Sequence, residues 1–127
     1  MENKRYLIDT HILLWYLSGD KSLPINLFNI IKDKNNEILV SVVVLWEILI
    51  KKNIGKLEIP DGIEIYIEKS GFEFISLDVE HVINLSGLQS YHKDPFDRIL
   101  IAQAIAEDIP IISTDSQISK YKVEVIS

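Results

Sequence analysis

A chain of 127 residues and 14.6 kDa has room for one domain, 1–127, around a single core, and 47% hydrophobic with 25% charged residues excludes a disordered chain. There is no cysteine, so a disulfide framework and a thiolate metal site are both excluded, and any metal is a hard cation held by oxygen or imidazole. A formal charge of −6 and a pI near 5.0 run against the basic balance of nucleic-acid binders, unless the acids gather in one pocket where a divalent cation inverts the local sign.

Met1-Glu2-Asn3-Lys4-Arg5 lacks the apolar segment of a signal peptide, and no apolar run approaches the roughly 20 residues that span a bilayer. A cytoplasmic protein without a membrane partner is expected. Tyr6-Leu7-Ile8 reads as a short buried strand, and Ile12 to Leu17 as a helix broken at Ser18-Gly19-Asp20. Asp9 or Thr10 can cap that helix. Asp9 also stands at the carboxyl end of a first, central strand, where open α/β sheets place their ligand crevice. His11 reads as a helix-surface side chain or a ligand. Ser22-Leu23-Pro24 opens a second helix, which closes in the polar run from Lys32 to Asn36.

Glu37 to Ser41 reads as a strand and Val42 to Ile54 as a helix ended by Gly55. Glu47 is the odd residue in that helix, flanked by apolar side chains. Either it lies on a wet edge and pairs with Lys51 at i+4, or it is buried and needs a partner or a metal. The segment from Lys51 to Pro60 is a basic turn, either solvated or able to meet phosphates. A helix follows through Ile63 and Ile67, then a strand over Phe72 to Leu77, then a helix over Val79 to Leu88.

Asp94 followed by Pro95 marks a helix start, because proline at the first helical position gives up an N–H that has no partner there. Asp97 falls in the same first turn, where the helix dipole favours a carboxylate. The helix runs to Ala106, Ile111-Ile112 is a short buried strand, Ser113-Thr114-Asp115 stands at its end, Ser116 to Tyr121 is a turn or short helix, and Lys122 to Ile126 is an edge strand. Alternation of strands and helices implies a three-layer α/β fold with a mostly parallel central sheet and helices on both faces.

Asp9, Glu47, Asp97 and Asp115 each have a local structural explanation, yet in such a fold they can meet at one edge of the sheet. Clustered carboxylates persist only when protonated or neutralised by a cation, and an all-oxygen donor set suits Mg²⁺ or Mn²⁺.

The ordered set Asp9-Thr10-His11 with Leu13-Leu14-Trp15, Trp46-Glu47-Ile48 with Lys51 and Gly55-Lys56-Leu57, His92-Lys93-Asp94-Pro95-Phe96-Asp97-Arg98 with Ala102-Gln103-Ala104, and Ser113-Thr114-Asp115 resembles PIN-domain ribonucleases. Within them it resembles the VapC-type toxins of type II toxin–antitoxin pairs. The resemblance covers nearly the whole chain. It implies a PIN-like fold and Mg²⁺- or Mn²⁺-dependent endoribonuclease activity. Asp9, Glu47, Asp97 and Asp115 would be both the catalytic and the metal-binding residues. Ser113 stands where the family commonly has Thr and keeps the hydroxyl; Thr10, Asp94 and Ser113 are accessory candidates. A homodimer and a cognate antitoxin covering the active-site groove are also implied. Charge marks Arg98, Lys51, Lys52 and Lys56 as candidates for the RNA backbone. Two alternatives stand beside this reading: a receiver-like Mg²⁺-binding signalling domain, and a catalytically inactive PIN-like module that binds a protein partner.

Overall fold

The computed structural model describes residues 4–127. Met1, Glu2 and Asn3, part of the stretch read above as lacking a signal peptide, lie outside the described residues. Strand β1 (Lys4–Ile8) leads into α1 (Thr10–Ser18), and α2 (Ile25–Lys32) precedes β2 (Asn36–Ser41). Helices α3 (Val42–Asn53) and α4 (Ile63–Lys69) connect to β3 (Glu73–Ile75), and α5 (Val79–Ser86) and α6 (Pro95–Glu107) lead to β4 (Ile111–Ile112). A 3₁₀ turn at Ile118–Lys120 precedes β5 (Val125–Ile126). Among the described residues no helix is long and apolar enough to cross a membrane.

The five strands form one sheet in the order β3-β2-β1-β4-β5, and every pair is parallel, not merely most of them. Successive strand residues face opposite sides of a sheet, so Leu7 beside Ile8, and Ile111 beside Ile112, all with no exposed surface, show that both faces are covered in the centre. Register ties Leu7 to Leu39 on one side and to Ile111 on the other. The chain winds outward from β1 through β2 to β3, then crosses back to β4. The switch point therefore lies between β1 and β4, and a crevice opens above their carboxyl ends. Receiver-like domains share the flavodoxin order 2-1-3-4-5; the order found here is different and removes the receiver alternative.

Two expected strands are shorter than their apolar runs suggest. β3 keeps three residues and β5 two, because each edge strand has only one neighbour to extend a ladder. At β5 the chain is also still turning, as Val123 N–H donates to the Tyr121 carbonyl. Helix α1 ends at Gly19 with φ +68°, a left-handed conformation that costs glycine little. Helix α6 buries every residue from Ile99 to Ala104, as befits a helix packed against α3 and α5 whose Leu100, Ile101 and Ala104 join the strand residues in one core cluster.

Truncating Leu7 in the central strand removes a side chain with no exposed surface. Leu7→Ala is expected to lower unfolding free energy by roughly 2–5 kcal/mol, read by urea denaturation at constant m-value; a loss below about 1 kcal/mol would show that β1 is not the centre of the core.

Candidate active site

Asp9 follows β1 directly and caps α1, its Oδ1 accepting from Ile12 N–H at 2.9 Å. The capping reading is thus correct, and the carboxylate is nonetheless only 5% exposed. Burial raises its pKa against the lowering effect of hydrogen bonds from the Ser113 hydroxyl and the Ile12 N–H and of the nearby His11, and the Asp115 charge adds to the rise.

Glu47 keeps the Lys51 pair of the first reading but not its wet edge, and the burial of the second is what is found. It pairs with Lys51 at i+4, Nζ to Oε2 2.6 Å, and it is also buried at 4% exposure. Its other oxygen accepts from the Thr10 hydroxyl at 2.6 Å, so Thr10, at the start of α1, fixes a carboxylate carried by α3. In turn Lys51 has its pKa raised, first by the hydrogen bond to Glu47 and further by the charges of Glu47, Asp94 and Asp97.

Asp94 caps α6 through Oδ1, accepting from the N–H groups of Phe96 and Asp97. This leaves the Asp97 side chain free of capping duty; its Oδ2 instead lies 3.1 Å from His92 Nε2. Asp97 is strongly perturbed. Its pKa is raised to about 7, first by burial, then by the charge of Asp94 and more weakly by Glu47 and Asp9, with His92 acting in the opposite direction. Asp115 sits just past β4. Its N–H donates to Ser113 Oγ at 3.0 Å, its Oδ1 accepts from Gln117 N–H at 2.9 Å, and its Oδ2 lies 2.8 Å from His92 Nε2. Partial burial pushes the Asp115 pKa up, but the Gln117 N–H, the His92 hydrogen bond and charge, and His11 outweigh it, so the net shift is downward.

The four carboxylates thus come from four places in the chain and feel one another: Asp97 is coupled to Glu47 and Asp9, and Asp9 to Asp115. Fully buried Ser113 links two of them, bracing Asp115 and reaching Asp9. These oxygen donors, crowded and partly desolvated, fit a hard divalent cation of the Mg²⁺ or Mn²⁺ class.

The cationic side chains are arranged differently from expectation. Arg98 Nη1 is directed to the Gln89 carbonyl at 2.9 Å, the Tyr121 hydroxyl at 3.2 Å and the His92 carbonyl at 3.3 Å, so this part of the guanidinium serves the loop. Lys51 is held by Glu47 and Lys52 by Asp61, while Lys56 is exposed and unpaired among the described residues. His92 carries no assigned role in the sequence reading, although it meets two of the four acids. A His two residues ahead of an Asp-Pro helix start was the available signal.

An all-parallel sheet with Asp9 and Asp115 just past the carboxyl ends of its two central strands defines the class, an α/β protein with an acidic crevice at its switch point. The sequence matches the PIN domain family over residues 6–124, and the chain belongs to that family. The fold is similar to VapBC2 from Rickettsia felis bound to a DNA fragment from its promoter, with a TM-score of 0.72, 18% identity, and 96% of this chain and 97% of that one covered. It is similar also to DNA-bound VapBC from Salmonella typhimurium (TM-score 0.70, 13% identity, 97% of each chain). A toxin–antitoxin complex from Klebsiella pneumoniae aligns with a TM-score of 0.66 at 19% identity over 96% of each chain. At these identities the likeness is one of fold. No curated protein sequence matches the chain.

The raised pKa of Asp97 has a definite sign for stability. Between the unfolded value of about 4 and the folded value near 7, the folded chain keeps a proton that the unfolded chain has released, so stability falls as pH rises through that window. Asp97→Asn cannot lose that proton. In EDTA, the melting temperature of Asp97→Asn relative to wild type is expected to climb between about pH 4 and 7 and to level off above; a difference independent of pH would show that Asp97 is not held protonated.

Proposed function

We propose that this chain is a metal-dependent endoribonuclease that hydrolyses RNA phosphodiester bonds, and that it is the toxin of a type II toxin–antitoxin pair acting as a homodimer. The observation that carries the proposal is geometric: His92 Nε2 stands 3.1 Å from Asp97 and 2.8 Å from Asp115, and Thr10, the residue after Asp9, holds Glu47 at 2.6 Å, in a chain of the PIN domain family. In this reading Asp9, Asp97, Glu47 and Asp115 hold Mg²⁺ or Mn²⁺. Bound there, such a cation polarises a phosphodiester and lowers the pKa of an attacking water.

The protein's own groups orient and exclude. Thr10 and Lys51 fix the Glu47 carboxylate from opposite oxygens. Asp94 holds the first turn of α6, so that Asp97 is presented from a rigid end. Ser113 spaces Asp9 and Asp115. Lys56, on the turn after α3, is the candidate retained for the RNA backbone, with Lys51 and Lys52 engaged by acids and Arg98 by the loop. Recognition of particular RNA would come from loop shape and from bases splayed out of single strands.

The toxin–antitoxin part draws support from the fold neighbours, which include a VapBC and a toxin–antitoxin complex. A cognate antitoxin would offer an Arg or Lys to the acidic crevice, since an anionic pocket on a protein of charge −6 favours a cationic plug.

Purified protein freed of any partner is expected to cut RNA with Mg²⁺ or Mn²⁺ and to stop in EDTA. Asp9→Asn and Asp97→Asn should each lose at least about 10²-fold in rate, since even residues that only support metal ligands cost 10–100-fold. Cleavage that survives EDTA or either substitution would contradict the proposal, and no cleavage at all would favour the inactive partner-binding module.

Co-expression with the product of the gene immediately upstream is expected to give a complex in which cleavage is suppressed. A complex that cuts as fast as the free chain would remove the antitoxin assignment and leave the nuclease one standing.

A further inference from the structure

Every polar atom of His92 has a partner. Its backbone N–H donates to the Tyr121 hydroxyl at 2.9 Å, and its carbonyl accepts from Arg98 Nη1 at 3.3 Å. The Tyr121 hydroxyl is itself committed, donating to the Gln89 carbonyl at 2.7 Å, and Arg98 reaches the same hydroxyl and the same carbonyl. Arg98 and Tyr121 therefore clamp the segment that carries His92. Ring nitrogen Nδ1 accepts from Asp94 N–H at 3.1 Å. The remaining atom, Nε2, stands 2.8 Å from Asp115 Oδ2 and 3.1 Å from Asp97 Oδ2, with the side chain 12% exposed.

His92, Asp97 and Asp115 could hold a cation by proximity alone, but the ring chemistry argues that the histidine is not a ligand. A nitrogen that accepts a backbone N–H carries no proton, so the proton of a neutral imidazole must sit on the other nitrogen. The Asp94 N–H thus fixes the Nε2–H tautomer, and the second nitrogen is a donor facing two carboxylate oxygens. To ligate a metal, Nε2 would have to give up that proton, which would then move to Nδ1 and point at the Asp94 N–H, donor against donor. The N–H belongs to the N-cap residue of α6, and its position is set by the helix start.

We propose that His92 is a positioning residue rather than a metal ligand: locked as the Nε2–H tautomer by the Asp94 N–H, it bridges Oδ2 of Asp97 and Oδ2 of Asp115 and ties the α6 carboxylate to the one beyond β4. Arg98, expected to meet RNA, and Tyr121, to which no role fell, act one step further back by holding the His92 backbone. Only the consequence for metal affinity rests on the cation-binding reading of the four acids; the tautomer does not.

The chain has three histidines, His11, His81 and His92, so long-range ¹H–¹⁵N correlation spectra of the imidazole rings can be assigned with single His→Gln variants. For wild type near pH 7, His92 Nδ1 is expected to be unprotonated and Nε2 protonated, both without metal and with saturating Mg²⁺. A protonated Nδ1, or a Nε2 that loses its proton when Mg²⁺ is added, would overturn the proposal. Mn²⁺ binding followed by electron paramagnetic resonance supplies the second arm. His92→Ala is expected to weaken Mn²⁺ binding about 10–100-fold, and His92→Gln, whose amide N–H reaches to a similar distance, to recover much of that loss. Unchanged affinity in His92→Ala, or a His92→Gln variant no better than the Ala one, would count against a donor role. If wild type itself bound no Mn²⁺, the cation reading of the four acids would fail, and the tautomer spectra on the metal-free protein would still decide whether His92 bridges Asp97 and Asp115.

Discussion

Like charges brought into one crevice repel, and the local structure around the sheet's switch point can be understood as the means of holding four carboxylates together. Each has a different compensation. Glu47 has an ammonium and a hydroxyl, from Lys51 and Thr10. Asp115 has the Gln117 N–H and His92. Asp9 has the first turn of α1 and Ser113. Asp97 has His92, 3.1 Å away, and its pKa is raised to about 7, first by burial and then by the Asp94 charge. A bound cation would relieve the charge of a buried carboxylate so placed.

The scaffold that imposes this crowding is rigid where it must be. The Asp94 cap and Pro95 set the start of α6, and the same Asp94 supplies the N–H that orients the His92 ring. A second polar network lies deeper. Buried Gln103 on α6 bonds the Ser41 hydroxyl at the end of β2 and the Ser76 carbonyl, 3.3 Å away. Its amide also faces His81 Nδ1 at 3.4 Å. His81 in turn completes the capping box of α5 with Asp78. Buried polar groups that are fully partnered specify one packing arrangement, and no buried side-chain nitrogen or oxygen among the described residues lacks a partner. The site is thus braced from the sheet, from α3 and from the α5–α6 connection, an arrangement in which function is paid for in stability by crowding carboxylates.

Much of this was legible in the sequence because it is local. The apolar run Tyr6-Leu7-Ile8 ending in Asp9, Ile111-Ile112 leading to Asp115, and the Asp94-Pro95 helix start all lie within a few residues of the signal that reveals them. Glu47 stood out by polarity alone. What stayed hidden depends on partners remote in sequence. Ser41 and Gln103 meet across 62 positions, and His92 and Asp115 across 23, and neither pairing has a periodicity to betray it. Arg98 shows the same limit from the other side: its charge is visible in the sequence, but the hydrogen bonds of its Nη1 to the Gln89 carbonyl and the Tyr121 hydroxyl are not. The edge strands β3 and β5 were overdrawn because hydrophobicity continues where the ladder has already stopped.

The central claim is that Asp9, Glu47, Asp97 and Asp115 form one cation-binding site and not four separate caps and surface charges. Thermal unfolding of the wild-type chain in EDTA and in Mn²⁺ tests it most directly. A ligand that binds only the folded form at a hundredfold excess over its Kd stabilises by about 2.7 kcal/mol; the account predicts a gain of this order for wild type and the loss of most of it in Asp97→Asn. Identical melting with and without Mn²⁺ would contradict it.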